Sequence, residues 1–226
     1  MSKTAHDTVN PPNLVSFMLT NWKKPAGQLP APVRNKANFK RRRAALAKIF
    51  PNDWILVPAG HLKVRANDTF YSFRPCSDFF YLTGNMEPDC VLAMGPGSVI
   101  LFVEPNPGKT DATFFTDRVK GELWEGARLG VPESRAKYGI EDTRPLSELE
   151  VWIRSLQGAH RVLRGHSAPL ENWVSGFRAH DQDRRDQELA TTLSEMRLLK
   201  DKEEILELAA VVNATHRGFT DVIGRM

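Results

Sequence analysis

Residues Lys63 to Asp89 read KVRANDTFYSFRPCSDFFYLTGNMEPD. Fixed charges and aromatic rings alternate through this stretch. It lacks the clean two-residue alternation of a half-buried strand. Aromatics beside charges suit an interface or a pocket wall. The plainer reading is a sheet edge with an amphipathic loop.

Strand signals lie on both sides. Trp54 to Val57 is a short apolar run closed by Pro58. Cys90 to Met94 and Val99 to Val103 are two more, and Gly95-Pro96-Gly97 between them predicts a hairpin. Phe114-Phe115 is expected to join a further strand. Pro145 suits the first turn of a helix, with Leu146, Leu149, Ile153 and Leu156 at helical spacing. Val162 and Leu163 mark a short strand within Arg161 to Arg164, and Leu170, Trp173, Val174 and Phe177 another helical face. Strands alternating with helices predict an α/β domain, a mixed β-sheet flanked by helices.

Residues 1–37 are rich in Pro, Asn and Lys and are expected to form an extended arm, pinned to the surface by Phe17 and Trp22. The domain proper is expected over 38–194. Asn38 is read as the cap of a helix with Phe39, Leu46, Ile49 and Phe50 on one side. Lys40-Arg41-Arg42-Arg43 lie mostly on its solvated side. Residues 195–226 are expected to form a long linker helix. Asp201 is its N-cap, the Glu203-Glu204 pair suits the positive end of the helix dipole, and Ile205, Leu208, Ala209, Val212, Phe219 and Val222 form its apolar stripe. Such a stripe needs a partner, either this domain or residues beyond the chain.

The 226 residues are 41% hydrophobic and 26% charged, the composition of a globular chain. The net charge of +4 is spread along the sequence, which gives no support to a nucleic-acid partner. No apolar run approaches the roughly 20 residues of a membrane helix, and no cleavable leader is evident. A soluble cytoplasmic location is expected. Cys76 and Cys90 read as reduced, partly buried thiols.

Catalytic patterns are missing. The six histidines form no HExxH pair, and no Gly-x-Ser-x-Gly elbow occurs. His160 and His166 are expected to reach solvent. Asp181 and Asp183, beside Arg184, Arg185 and Asp186, read as a self-paired surface stretch.

Three motifs carry a family resemblance. Arg74-Pro75-Cys76-Ser77-Asp78-Phe79-Phe80-Tyr81-Leu82-Thr83-Gly84 with Glu87-Pro88-Asp89 resembles the R-x-x-S-D-F-x-Y-L-T-G … E-P-[DE] signature of the aminopeptidase P N-terminal domain. Trp124-Glu125-Gly126-Ala127-Arg128-Leu129-Gly130 is similar to that family's W-x-G-x-R-L-G. Arg197 to Ile205 resembles the R-x-x-K-[SD]-x-E-E-I segment that opens its catalytic domain. Phe80 stands where some members have tryptophan, and Cys76 where a polar residue is common.

The resemblance implies a ribonuclease-H-like N-terminal domain of a Xaa-Pro aminopeptidase, acting on peptides with proline second. It implies a catalytic part of pita-bread fold with two manganese ions, whose Asp, His and Glu ligands follow the linker helix. No catalytic or metal-binding residue is expected within this chain, and the chain alone is expected to be inactive. Homo-oligomer contacts and a narrowed active-site entrance are implied for the N-terminal domain. Arg74, Phe80, Tyr81 and Trp124 are the candidates for that wall or contact. A prolidase or creatinase-like enzyme would share the fold, and a free-standing peptide-binding module would use the same aromatic surface without metals.

Overall fold

The computed structural model describes residues 10–23, 29–67, 69–176 and 179–226. In chain order the elements are α1 (Pro12–Met18), α2 (Lys36–Ile49), β1 (Trp54–Pro58), β2 (Val64–Ala66), β3 (Thr69–Phe70), α3 (Ser77–Thr83), β4 (Val91–Gly95), β5 (Ser98–Val103), α4 (Thr113–Thr116), α5 (Glu122–Glu125), α6 (Val131–Tyr138), β6 (Asp142–Pro145), α7 (Leu149–Arg154), β7 (His160–Val162), α8 (Ala168–Ser175), α9 (Gln182–Leu198) and α10 (Lys202–Ile223).

Five strands form one mixed sheet in the order β6-β5-β4-β1-β7. Its centre is antiparallel: β4 pairs with β5 from Val91↔Phe102 to Gly95↔Ser98, and β1 pairs with β4 from Ile55↔Met94 to Pro58↔Val91. Both edges are added in parallel, β7 on β1 and β6 on β5. The expected hairpin and mixed sheet are both present.

Alternation along the central strands divides the core between two faces. Ile55, Val57, Leu92, Met94, Leu101 and Val103 face one layer, where Leu46 of α2, Phe79 and Leu82 of α3, Tyr138 of α6, and Leu189 and Leu193 of α9 cover them. Leu56, Val91, Ala93, Ile100 and Phe102 face the other, under Leu149 and Ile153 of α7 and Leu170 and Val174 of α8. Burying each such side chain contributes about 1.5–3 kcal/mol. The sheet is therefore sandwiched between two helical layers.

Several local expectations are corrected. Pro12–Met18 is helical, so this part of the arm is not extended. Trp22 does lie on the domain, stacked on Phe115, whereas Phe17 is exposed. Helix α2 begins at Lys36, and Asn38 lies inside its first turn, its N–H bonded to the Asn35 carbonyl. Phe114 and Phe115 sit in a helical turn because Asp111 Oδ1 accepts from both the amide and the hydroxyl of Thr113, which bends the chain there.

His160 is buried, because β7 lies against β1 and Gln182 of α9 donates to the His160 carbonyl at 3.0 Å. Burial also pushes its imidazole down from the ordinary value. Asp186 is buried as well. Its carboxylate accepts from the Val162 amide at 2.8 Å, Gln182 Nε2 at 2.7 Å and Arg164 Nε at 2.6 Å, so this residue clamps α9 to the sheet edge. Asp181 does form the expected surface pairs with Arg184 and Arg185. Cys76 and Cys90 are free and buried. Phe177 lies outside the described residues.

Among the described residues no helix is long and apolar enough to cross a membrane.

Candidate functional site

Helix α3 carries the centre of the opening stretch. Asp78 in its first turn suits the helix dipole. Its end is set by Gly84, at φ +68°, whose N–H returns to the Phe80 carbonyl at 2.7 Å. Over two turns Phe79 and Leu82 point inward and are fully buried, while Phe80 turns outward and is 39% exposed.

Two arginines of α2 hold the far end of α3. Arg42 Nη1 donates to the Tyr81 carbonyl at 3.1 Å, and Arg43 Nη1 to the Leu82 carbonyl at 2.7 Å. Cations at the negative end of a helix satisfy carbonyls that the helix itself leaves open. Arg42 and Arg43 are both buried, so half of the run expected to be solvated is structural. Burial pushes the Arg43 guanidinium down to about 10, and it stays charged near neutral pH.

Between α2, α3 and the root of α10 lies a groove of about 830 Å³. Phe39, Arg74, Phe80, Tyr81 and Leu208 are among its lining residues. Phe39 and Phe80 meet edge-on with centroids 6.2 Å apart. The Tyr81 ring lies beneath the Arg42 guanidinium at 4.2 Å, and its hydroxyl donates to the Met196 carbonyl at 2.9 Å. Burial pushes the Tyr81 phenol upward. Arg197 reaches Asp78 at 2.7 Å, off the direction a hydrogen bond requires, so the contact is an ion pair only.

The root of α10 is anchored on the same arginine. Asp201 caps the helix through the Glu204 amide, and Glu204 returns a carboxylate to the Asp201 amide. Arg42 Nη2 meets Asp201 Oδ2 at 2.6 Å and Glu204 Oε2 at 2.9 Å, and Asn38 Nδ2 donates to Glu203 Oε2 at 2.9 Å. Beyond this root every residue of α10 is exposed, including Val211, Val212 and Phe219. The expected apolar stripe is uncovered.

Partial burial acts to raise the Asp201 carboxyl. The Glu204 amide and the Arg42 guanidinium outweigh it, so the group titrates below its ordinary value of 3.8. Its stabilisation is complete above that value and is lost as pH falls through the lower folded value. The carboxyl carbon shift of Asp201, followed by NMR, is expected to titrate below 3.8 and to move upward in Arg42→Met. A midpoint unchanged by that substitution would remove Arg42 as a cause.

Three of the four candidates from the sequence, Arg74, Phe80 and Tyr81, are thus brought together. Trp124 is not. It stands on α5, its Nε1 donating to the Phe115 carbonyl at 2.8 Å and Arg118 lying over its ring. Sequence reasoning missed Phe39, Asn38 and Arg42 as groove residues. Phe39 and Arg42 stand one helical turn apart, but nothing local marks Arg42 as buried. Among the described residues no three of His, Cys, Asp or Glu gather as metal ligands. A dimetal centre therefore does not fit the side chains described.

Fold and groove together define an α/β domain with a two-faced mixed sheet, presenting an arginine-braced aromatic groove at the base of a projecting helix. The chain belongs to the family "Aminopeptidase P, N-terminal domain", which matches residues 39–163, more than half of the sequence. It is 39% identical over 196 residues to Xaa-Pro aminopeptidase 1 of Streptomyces coelicolor, covering 85% of this chain and 39% of that protein. With Xaa-Pro aminopeptidase 2 of the same organism it shares 33% identity over 220 residues, 94% of this chain and 45% of the relative. The structure of Escherichia coli aminopeptidase P superposes with a TM-score of 0.62 at 26% identity, covering 77% of this chain and 41% of that one. The chain spans less than half the length of these relatives.

Proposed function

We propose that this chain acts as the N-terminal accessory domain of a Xaa-Pro aminopeptidase, a metallopeptidase that releases the first residue of peptides with proline second. In this reading residues 1–37 form an arm, 38–194 the domain and 195–226 the linker into a catalytic part. Two divalent ions, manganese by family resemblance, belong to that catalytic part, and this chain alone is inactive. The domain restricts access to the active site and supports a homo-oligomer in the cytoplasm.

The observation that carries the reading is Phe80. Its neighbours Phe79, Tyr81 and Leu82 are buried, yet Phe80 opens into the groove beside Arg74. With Phe39, which it meets edge-on, Phe80 gives the groove a paired aromatic wall of the kind that lines ligand sites. Arg74 adds a cation on the same wall, suited to a peptide carboxylate.

The test is kinetic. In the protein extended to the length of its relatives, Phe80→Ala is expected to change KM for long against short X-Pro peptides by roughly threefold to tenfold, a loss of about 1 kcal/mol of contact. The melting temperature should hardly move, since Phe80 is half-exposed. A fallen melting temperature with unaltered peptide preference would make Phe80 a packing residue. Cleavage of an X-Pro peptide by the 226-residue chain itself, with manganese added, would overturn the accessory role.

A further inference from the structure

Helices α4 and α5 are single turns of four residues each, too short to hold their own shape without tertiary contacts. The link between them is closely folded. A Cβ added at Gly121 would lie 2.4 Å from the Asp117 carbonyl oxygen and 2.5 Å from that of Thr113. The segment nevertheless carries Trp124, a large indole that is 54% exposed.

Phe115 joins this indole to the N-terminal arm. Its carbonyl accepts the Trp124 Nε1 proton at 2.8 Å. Its ring, itself buried, is stacked by Trp22 with centroids 5.8 Å apart and planes 28° from parallel. Lys109 Nζ lies 4.2 Å from the centre of the Trp22 ring and 5.8 Å from that of Phe114, closing the cluster from outside. Trp22 is oriented in turn by its own Nε1, which donates to the Met18 carbonyl at the end of α1 at 2.5 Å.

We propose that Trp22 is a positioning residue for Trp124: by clamping Phe115, the N-terminal arm fixes the direction of the indole that the domain presents to an approaching peptide. The functional half of this inference rests on the entrance role that the family resemblance implies for Trp124, which stands apart from the groove. The geometric half does not. With Trp22 removed, the Phe115 ring loses its cover, the carbonyl that orients Trp124 is free to shift, and two single-turn helices lose a contact they cannot replace. The direction of the Trp124 indole thereby depends on the arm as well as on the domain.

The test reads the five tryptophan indole protons of this chain by 15N NMR, with Trp124→Phe assigning the relevant signal. Trp22→Ala is expected to speed solvent exchange of the Trp124 indole proton roughly tenfold or more, as its hydrogen bond opens more often. Trp22→Phe keeps a ring on Phe115 and should restore protection. In the longer protein, Trp22→Ala should raise KM for peptides with kcat unchanged, following the direction of Trp124→Ala. An unchanged KM in Trp124→Ala would overturn the entrance reading. An unchanged exchange rate in Trp22→Ala, or no rescue by Trp22→Phe, would overturn the role of Trp22 whatever the kinetics show.

Discussion

Replacing Arg42 with Met lowers the stability of the domain by about 3 kcal/mol, the lower part of the range for breaking a buried ion pair. Met fills much of the same space, so the loss is electrostatic. The Tyr81 carbonyl loses its donor, and Asp201 and Glu204 are left facing one another without the guanidinium that met them at 2.6 and 2.9 Å. Those acids retain 17% and 26% side-chain exposure, and water therefore offsets part of the cost. Arg41 cannot substitute. It reaches Asp201 only at 3.4 Å and is 63% exposed, a geometry worth little. Lys at position 42 should recover less than half, because one ammonium does not span a carbonyl and two carboxylates as a planar fork does. Urea unfolding at neutral pH reads the effect directly. A loss of less than roughly 0.5 kcal/mol, the usual spread of surface substitutions, would mean that the network does not brace the groove.

Gly84→Ala is expected to cost a similar amount by a different route. The residue sits at φ +68°, where an L side chain costs about 1–2 kcal/mol. Its new methyl would also meet Phe39, with Cε2 at 2.4 Å and Cζ at 2.6 Å. Phe39 is buried, so relief requires moving the ring away from Phe80, and overpacking of this kind costs about 1–3 kcal/mol. The sum, about 3 kcal/mol, corresponds to a fall of about 6–12 °C in melting temperature for a chain of this size. Combining it with Phe39→Leu should give a loss smaller than the two single losses added, because the second change makes room for the first. Strict additivity in that cycle would show the clash to be absent.

Strands β1, β4, β5 and β7 and the linker helix are legible because their signals are local, whereas β2, β3 and β6 carry none, and Pro145, expected in a helix, ends β6. Trp54 to Pro58 and the hairpin around Gly95 need only alternation and a turn, and the Asp201–Glu204 capping box lies within four residues. What failed depended on distant partners. Arg42 and Arg43 belong to a basic run that reads as solvated. Their acceptors at Tyr81 and Leu82 lie 39 positions on, and Asp201 lies 159 positions from Arg42. His160 looked exposed beside a short strand until β1 and α9 enclosed it. Phe114-Phe115 has strand-forming side chains, yet an aspartate three or four residues earlier decides its backbone. The candidate wall was half legible for the same reason. Arg74, Phe80 and Tyr81 share one segment, whereas nothing in the sequence separates Trp124 from them.

The braced root of α10 has a mechanical consequence. Asn38 and Arg42 on α2 fix three acidic side chains of its cap and first turn, and beyond the residues that line the groove the helix projects exposed. A 22-residue helix is about 33 Å long at 1.5 Å per residue. It is thus a stiff lever with its charged root as the pivot. A tilt of about 5° at that pivot carries the tip through about 3 Å. The same guanidinium caps α3, so tilting the lever pulls on the helix that aims Phe80. Load applied far along α10 is felt at the groove.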